Sequence, residues 1–227
     1  MAIAAILAMT EQEIHTVPST PRSFAFLGCH FSSTGSGLAG LPHGLPEGCG
    51  LIIDDRNPLI HTDFRAITQQ LRKLNPTYLM LDFQHPPTDA AIRLATELST
   101  LPCPVVIPPD YRENLHLPVF LPPIPPCIST DEYLRPWKGR EVWLELALDA
   151  AEIIVTANGS QIRSFAHAEP AENAHKDSML HCHYKISRDE DSLKFYCYRT
   201  KEDVEDLLSA LPPNISHAVG LFQELGE

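Results

Sequence analysis

The chain has 227 residues, 44% hydrophobic and 20% charged, with a formal net charge of −12. That is the make-up of a folded globular protein and excludes a disordered one. With no basic cluster to grip a phosphate backbone, nucleic-acid binding is not expected, and docking on an anionic membrane is disfavoured.

The opening apolar run, MAIAAILAM, lacks a basic lead and is too short to span a bilayer. It reads as a first strand or a short arm of a cytoplasmic protein. SFAFLGCHF (23–31) is predicted as a strand, the Gly/Pro/Ser-rich 32–48 as a loop, and GLIIDD (50–55) as a strand ending in two carboxylates. A helix follows, with Thr62 as N-cap and Asp63 in the first turn. Phe64, Ile67, Leu71 and Leu74 share one face, and Pro76 stops it. TYLMLDFQ (77–84) is a strand, a second helix starts after Pro87 with Thr88 as cap, and PVVIP (104–108) is a strand. This alternation is the mark of a parallel α/β sheet.

Beyond it the rhythm breaks. VFL is a brief strand between prolines, and PPIPPC (122–127) is a rigid connection, with a polyproline-docking segment as the alternative. A turn or short helix near 130–135 leads to EVWLELALD (141–149). There Val142, Leu144, Leu146 and Leu148 share one face, and Trp143, Glu145, Ala147 and Asp149 the other. EIIVTANGSQIRS is predicted as a hairpin through an Asn158-Gly159 type I′ turn. Residues 166–179 read as a polar loop, and 180–199 as a second hairpin. Thr200 caps a helix over 201–211, with Asp203 at the capping-box position and Val204, Leu207, Leu208 and Leu211 as its apolar face. HAVGLFQ (217–223) is the last strand.

About eight strands with intermittent helices point to a small or eroded (β/α)8 barrel, with an incomplete helical ring and inserted β-hairpins. The chain is read as one domain over 1–227, with 151–199 as the insertion. A doubly wound open sheet competes, but no Gly-rich phosphate loop follows the first strand. The six cysteines contain no C-x-x-C pair and are expected as free thiols.

Alternation along 78–84 sends Leu79, Leu81 and Phe83 outward, and Tyr78, Met80, Asp82 and Gln84 into the lumen. Strand ends elsewhere are also polar. The candidate catalytic groups are therefore Asp82, Asp55, Glu145 and Glu224, and the candidate ligand-binding groups His30, Asp54, Gln84, Trp143 and Phe222. The competing reading is that carboxylates such as Asp55 and Asp82 only cap loops or pair with Arg56. His181 and His183, two apart on a strand, are a weak metal pair without a third ligand, so no metal or other cofactor is expected.

YLMLDFQ resembles the third-to-fourth-strand region of glycoside hydrolase family 18 and its spore-wall relatives, whose signature is D-x-x-D-x-D-x-E. The ending FYCYRTKEDVEDLLSALPPNISHAVGLFQELG is similar to that family's closing strand, helix and strand. The resemblance implies a barrel in which the final Glu protonates the glycosidic oxygen, while the preceding Asp positions the substrate acetamido group. Matched position by position, Asp82 falls on that Asp, Phe83 on its aromatic neighbour and Gln84 on the acid. Met80 and Thr77 fall on the earlier Asp positions, and Phe222 on a tryptophan that floors the sugar site. An amide cannot act as the general acid. Three functions follow as expectations: a barrel binding a saccharide or similar polar ligand without family-18 catalysis, a hydrolase with a rearranged carboxylate or metal site, or a scaffold. Nothing in the sequence sets the oligomeric state.

Overall fold

A computed structural model describes residues 5–16, 23–34, 37–59 and 64–225. The expected cap Thr62 and its neighbour Asp63 lie outside the described residues. In chain order the elements begin with β1 (Ala5–Met9), α1 (Glu11–Thr16), β2 (Phe24–Phe31), β3 (Leu38–Ala39) and β4 (Gly50–Asp54). Next come α2 (Phe64–Leu74), β5 (Leu79–Asp82), α3 (Asp89–Leu98), β6 (Val105–Val106), β7 (Val119–Leu121), α4 (Thr130–Leu134) and β8 (Val142–Leu146). An antiparallel sheet follows, made of β9 (Ala150–Thr156), β10 (Gly159–Phe165), β11 (His175–Asp177), β12 (Cys182–Arg188) and β13 (Ser192–Tyr198). The chain ends with α5 (Lys201–Ala210), β14 (Ile215–Leu221) and α6 (Phe222–Leu225).

Eight strands run parallel in the order β6-β5-β4-β2-β1-β14-β8-β7. A single bridge between Ile107 and Val119 joins the two ends, so the sheet closes on itself. Its bonds are Ile107 N–H to Pro118 O (2.9 Å) and Phe120 N–H to Ile107 O (2.8 Å). The TIM-like barrel expected from the sequence is therefore present, and the open doubly wound sheet is not. The opening apolar run supplies its first strand. The helical ring is incomplete as expected: among the described residues only α2, α3 and α5 reach ten residues or more.

Strand alternation sorts the apolar residues into two layers. Leu79, Leu81 and Phe83 pack outward with Ile67, Leu71, Leu94 and Ala95 of α2 and α3, while Ile6, Ala8, Ala25, Ile52, Met80, Val106 and Val219 fill the lumen. The lumen's lower end is plugged by Tyr78 and Trp143, whose rings meet edge-on at 5.0 Å, and His217 stacks on Trp143 at 4.0 Å. Tyr78 Oη donates to Phe24 O at 2.7 Å. Gly50 is required beside it, because a Cβ there would lie 1.9 Å from the Tyr78 ring.

Several elements differ from expectation. The loop after β2 folds back as β3, pairing antiparallel with His30 and Phe31. The 141–149 strand stops at Leu146, and the polar 166–179 segment contributes β11. The first hairpin turns on Ala157-Asn158, since Thr156 pairs with Gly159. Of that stretch only Gly159 carries a positive φ (133°), so the expected Asn-Gly type I′ turn is not formed. All six cysteines are free thiols. Among the described residues no helix is long and apolar enough to cross a membrane.

The start of α5 follows the sequence closely. Thr200 Oγ1 accepts the Asp203 N–H at 3.3 Å, and Asp203 Oδ2 accepts the Thr200 N–H at 2.9 Å. Thr200→Ala is expected to lower stability by about 1 kcal/mol, read from the urea midpoint at constant m-value.

Candidate functional site

The chemistry-bearing residues collect where the barrel strands end. Register places His30, Asp54 and Asp82 side by side on β2, β4 and β5. A bulge between Phe26 and Cys29 resets the phase of β2, and Gly28 takes it up with φ of 133°. It leaves His30 level with Asp54, and His30 Nδ1 lies 2.9 Å from Gly28 O.

Asp54 is neutralised locally. Burial would raise its pKa, but Arg56 outweighs that and holds it below the usual carboxylate range. The Arg56 guanidinium grips both oxygens, with Nε–Oδ1 at 2.8 Å and Nη2–Oδ2 at 2.5 Å. Asp82 faces the lumen mouth, where burial pushes its pKa up against a hydrogen bond from Gln84. That bond, Gln84 Nε2 to Asp82 Oδ1, is 2.6 Å long.

Glu145, on β8 across the barrel, joins Asp82 at a small cavity of about 60 Å³ in the lumen mouth, with Leu27, Phe120 and Leu221. It also lines a cleft of about 420 Å³ with Asp149, Phe165, His167, Leu221 and Glu224. Burial, helped by Asp82, Glu224 and Asp149, pushes Glu145 up to about 7. Burial likewise raises Asp149 to about 6, against the pull of Arg199. Glu145 is thus a carboxyl that exchanges its proton near neutrality, set between two cavities. A side chain in that state donates a hydrogen bond below its pKa and accepts above it.

The remaining expected site residues divide. Glu224 reaches the cleft, and its Oε2 accepts the Leu148 N–H at 3.2 Å. Asp55 does not belong to this rim. It follows the lumen-facing Asp54 and turns outward, 7% exposed, where Oδ1 accepts the Gln84 N–H (2.8 Å) and Oδ2 the His85 N–H (3.0 Å). It anchors the loop after β5 and borders a separate apolar pocket of about 370 Å³ with Phe31, Phe83 and Tyr111. The loop-capping alternative therefore describes Asp55.

Trp143 faces the lumen but one pleat too deep to meet a ligand at the rim, being 2% exposed beneath Glu145. Phe222 is displaced as well. The last strand ends at Leu221, which takes the position at the cavity mouth, and Phe222 starts α6. The histidine pair fails geometrically. His181 precedes β12 with φ of 48°, so it does not share the strand face of His183. His183 Nδ1 is engaged by Asp203 Oδ2 at 2.8 Å. Among the described residues no group of three His, Cys, Asp or Glu is placed to hold a metal.

Phe165, His167 and a rim role for Asp149 were not expected from the sequence. Phe165 ends β10 and His167 follows it, so the inserted sheet supplies one wall of the cleft. The nearest signal was the lumen-face parity of Asp149 with Glu145. Arg199 secures the arrangement. The residue is 3% exposed, and its guanidinium donates to Ile124 O, to His181 O (3.1 Å) and to Asp149 Oδ1 (3.4 Å).

Comparison with known proteins bears on the fold. No family model matches the sequence, and no curated protein matches it. Solved structures do match in shape. The spore cortex-lytic enzyme SleL of Bacillus cereus aligns over 96% of this chain and 70% of its own, at 13% identity and a TM-score of 0.56. A Glu→Gln mutant of the class V chitinase from Nicotiana tobaccum, in complex with NAG4, aligns over 97% and 93%, at 9% identity and 0.55. The chitinase-like agglutinin RobpsCRA of Robinia pseudoacacia aligns over 95% and 93%, at 10% identity and 0.53. The chain has the fold of glycosidase-like barrels of the chitinase type. β5, which ends in Asp82, is the fourth strand of that barrel in chain order.

Proposed function

We propose that this protein binds a saccharide at the C-terminal rim of its barrel and does not hydrolyse it by the family-18 route. The observation that carries the proposal is the Gln84–Asp82 bond of 2.6 Å. At the acid position stands an amide that has no proton to give, held against the carboxylate that would position an acetamido group. Met80 and Thr77 supply no carboxylate at the two earlier positions, and Met80 is fully buried in the lumen. A cleft of about 420 Å³ remains, with Phe165 as an apolar wall and Glu145, Asp149 and Glu224 to pair with hydroxyls. A chitinase-type barrel carrying a Glu→Gln substitution is found holding NAG4, and an agglutinin shares the same fold. Both accord with a binding role for an acid-deficient barrel.

The test is calorimetric titration with N-acetylglucosamine tetramer. Saturable binding is expected, weakened about tenfold by Phe165→Ala through loss of ring contact and about tenfold by Asp82→Ala. No heat with this or any other oligosaccharide would overturn the proposal.

Glu145 supports a second proposal. A carboxyl raised to about 7 at the same cavity as Asp82 is a proton donor beside a second carboxyl, the two groups that glycoside hydrolysis uses. On that basis hydrolysis would be lost in Glu145→Gln and kept in Gln84→Ala.

A further inference from the structure

The inserted sheet has two edges, and they are not alike. β11 is three residues long, and its Lys176 is tied to Glu202 (3.1 Å) and Asp206 (2.9 Å) of α5. A short edge fixed by charges is protected from further pairing. β10 is seven residues long, every one exposed, and among the described residues pairs only with β9. Its register runs from Gly159 to Phe165 with no bulge, it contains no proline, and its one charge is Arg163.

Ladder geometry shows which of its groups are open. The Asp189 N–H to Ser192 O bond of 2.9 Å closes the β12–β13 hairpin, which sets the alternation of bonded pairs across the sheet. Followed through β13 and β9 in the observed register, it directs the N–H and C=O of Ser160, Ile162 and Ser164 away from β9. These three residues form a row of donors and acceptors along an open edge. Ile162 is 59% exposed, with Val155 and Ile186 of the same face also open to solvent.

We propose that β10 is a homodimerisation edge, pairing antiparallel with β10 of a second copy about a twofold axis at Ile162. The strand is its own complement in that register. Ile162 faces Ile162 of the second copy, Ser160 faces Ser164, and Gln161 faces Arg163. Gly159, which has no side chain, receives Phe165. No like charges stand opposite each other, which would destabilise a cross-strand pair. A twofold interface requires such self-complementarity. The occupant is a second copy because each residue finds a suitable partner in the same seven-residue strand. Two chains of charge −12 repel at long range, and β10, with one cation and no acid, adds nothing of its own to that repulsion. The two inserted sheets become one continuous ten-stranded sheet, five strands from each copy. Because Phe165 also lines the rim cleft, the dimer edge borders that site in each copy.

Sedimentation velocity from about 1 to 200 μM, in about 0.15 M salt, tests this. The unaltered chain is expected to pass from monomer to twice the monomer mass, and Ile162→Lys, which sets two ammonium groups opposite each other, to stay monomeric. Ile162→Cys is expected to give a disulfide-linked dimer under dissolved oxygen, whereas Ile186→Cys, on the same face away from the edge, is not. A chain monomeric throughout would overturn the proposal, whether the edge is empty or awaits another protein's strand. So would a dimer that persists in Ile162→Lys, or equal cross-linking of the two cysteine variants.

Discussion

Glu145→Gln is expected to stabilise the protein by about 2–3 kcal/mol at pH 8 and to change it little at pH 4. In the unfolded chain this carboxyl titrates near 4.5, whereas in the folded state burial and the neighbouring Asp82, Glu224 and Asp149 raise it to about 7. The folded state therefore binds the proton more tightly. Below about pH 4.5 the group is protonated in both states and the full stability is present. As pH rises the unfolded chain ionises first, and stability falls until the folded group also ionises, near 7. Glutamine has the shape of the protonated acid and no charge to bury, so the variant escapes that loss. Asp149, raised to about 6, adds a smaller decline of the same sign from about pH 4 upward, which remains in the variant. Urea denaturation of both proteins at pH 4, 6 and 8 measures the difference. Parallel curves across that range would mean that Glu145 is not held in the environment described.

The second large effect is expected at Arg199. Arg199→Ala should cost about 3–5 kcal/mol, because it leaves Asp149 without its cation and three carbonyls, those of Ile124, His181 and Leu180, without a donor. For a chain of this size that lowers the melting temperature by about 10 °C. Ile124 belongs to the connection after β7, and Asp149 and Leu180 to the segments that carry the inserted sheet. The residue is thus a joint between barrel and insertion, and its loss should open the cleft wall at Phe165 as well as lower stability. Arg199→Lys should recover less than half of the loss, since one ammonium cannot replace a planar fork of donors. Calorimetric melting of the three proteins decides. A variant within 1 kcal/mol of the parent would contradict the joint.

The barrel was legible because period-2 alternation and proline punctuation are local. The Leu79–Asp82 strand reads correctly from its own residues, and so does the outward face that packs on α2 and α3. Alternation gives the face of a side chain but not its depth. Trp143 and Glu145 share a face, yet one plugs the barrel bottom and the other meets the rim. Asp55 was misplaced because the partners that hold it, the Gln84 and His85 amides, are 29 and 30 residues away. Phe222 was misplaced because the last strand ends at Leu221, two residues sooner than the apolar pattern suggests, and Phe222 starts α6. The bulge at Gly28, which brings His30 level with Asp54, has no signature beyond a glycine within a strand. Phe165 and His167 became cleft residues only through the fold of the inserted sheet over the rim, a long-range arrangement that no local pattern records.

One measurement tests the central claim most directly. The native protein is held with N-acetylglucosamine tetramer at binding concentration, and the sugar is then recovered and weighed by mass spectrometry. A tetramer bound in the calorimeter and recovered intact, with Gln84→Ala behaving alike, is the predicted result. Shorter chito-oligosaccharides appearing faster than in buffer, and lost in Gln84→Ala, would contradict it.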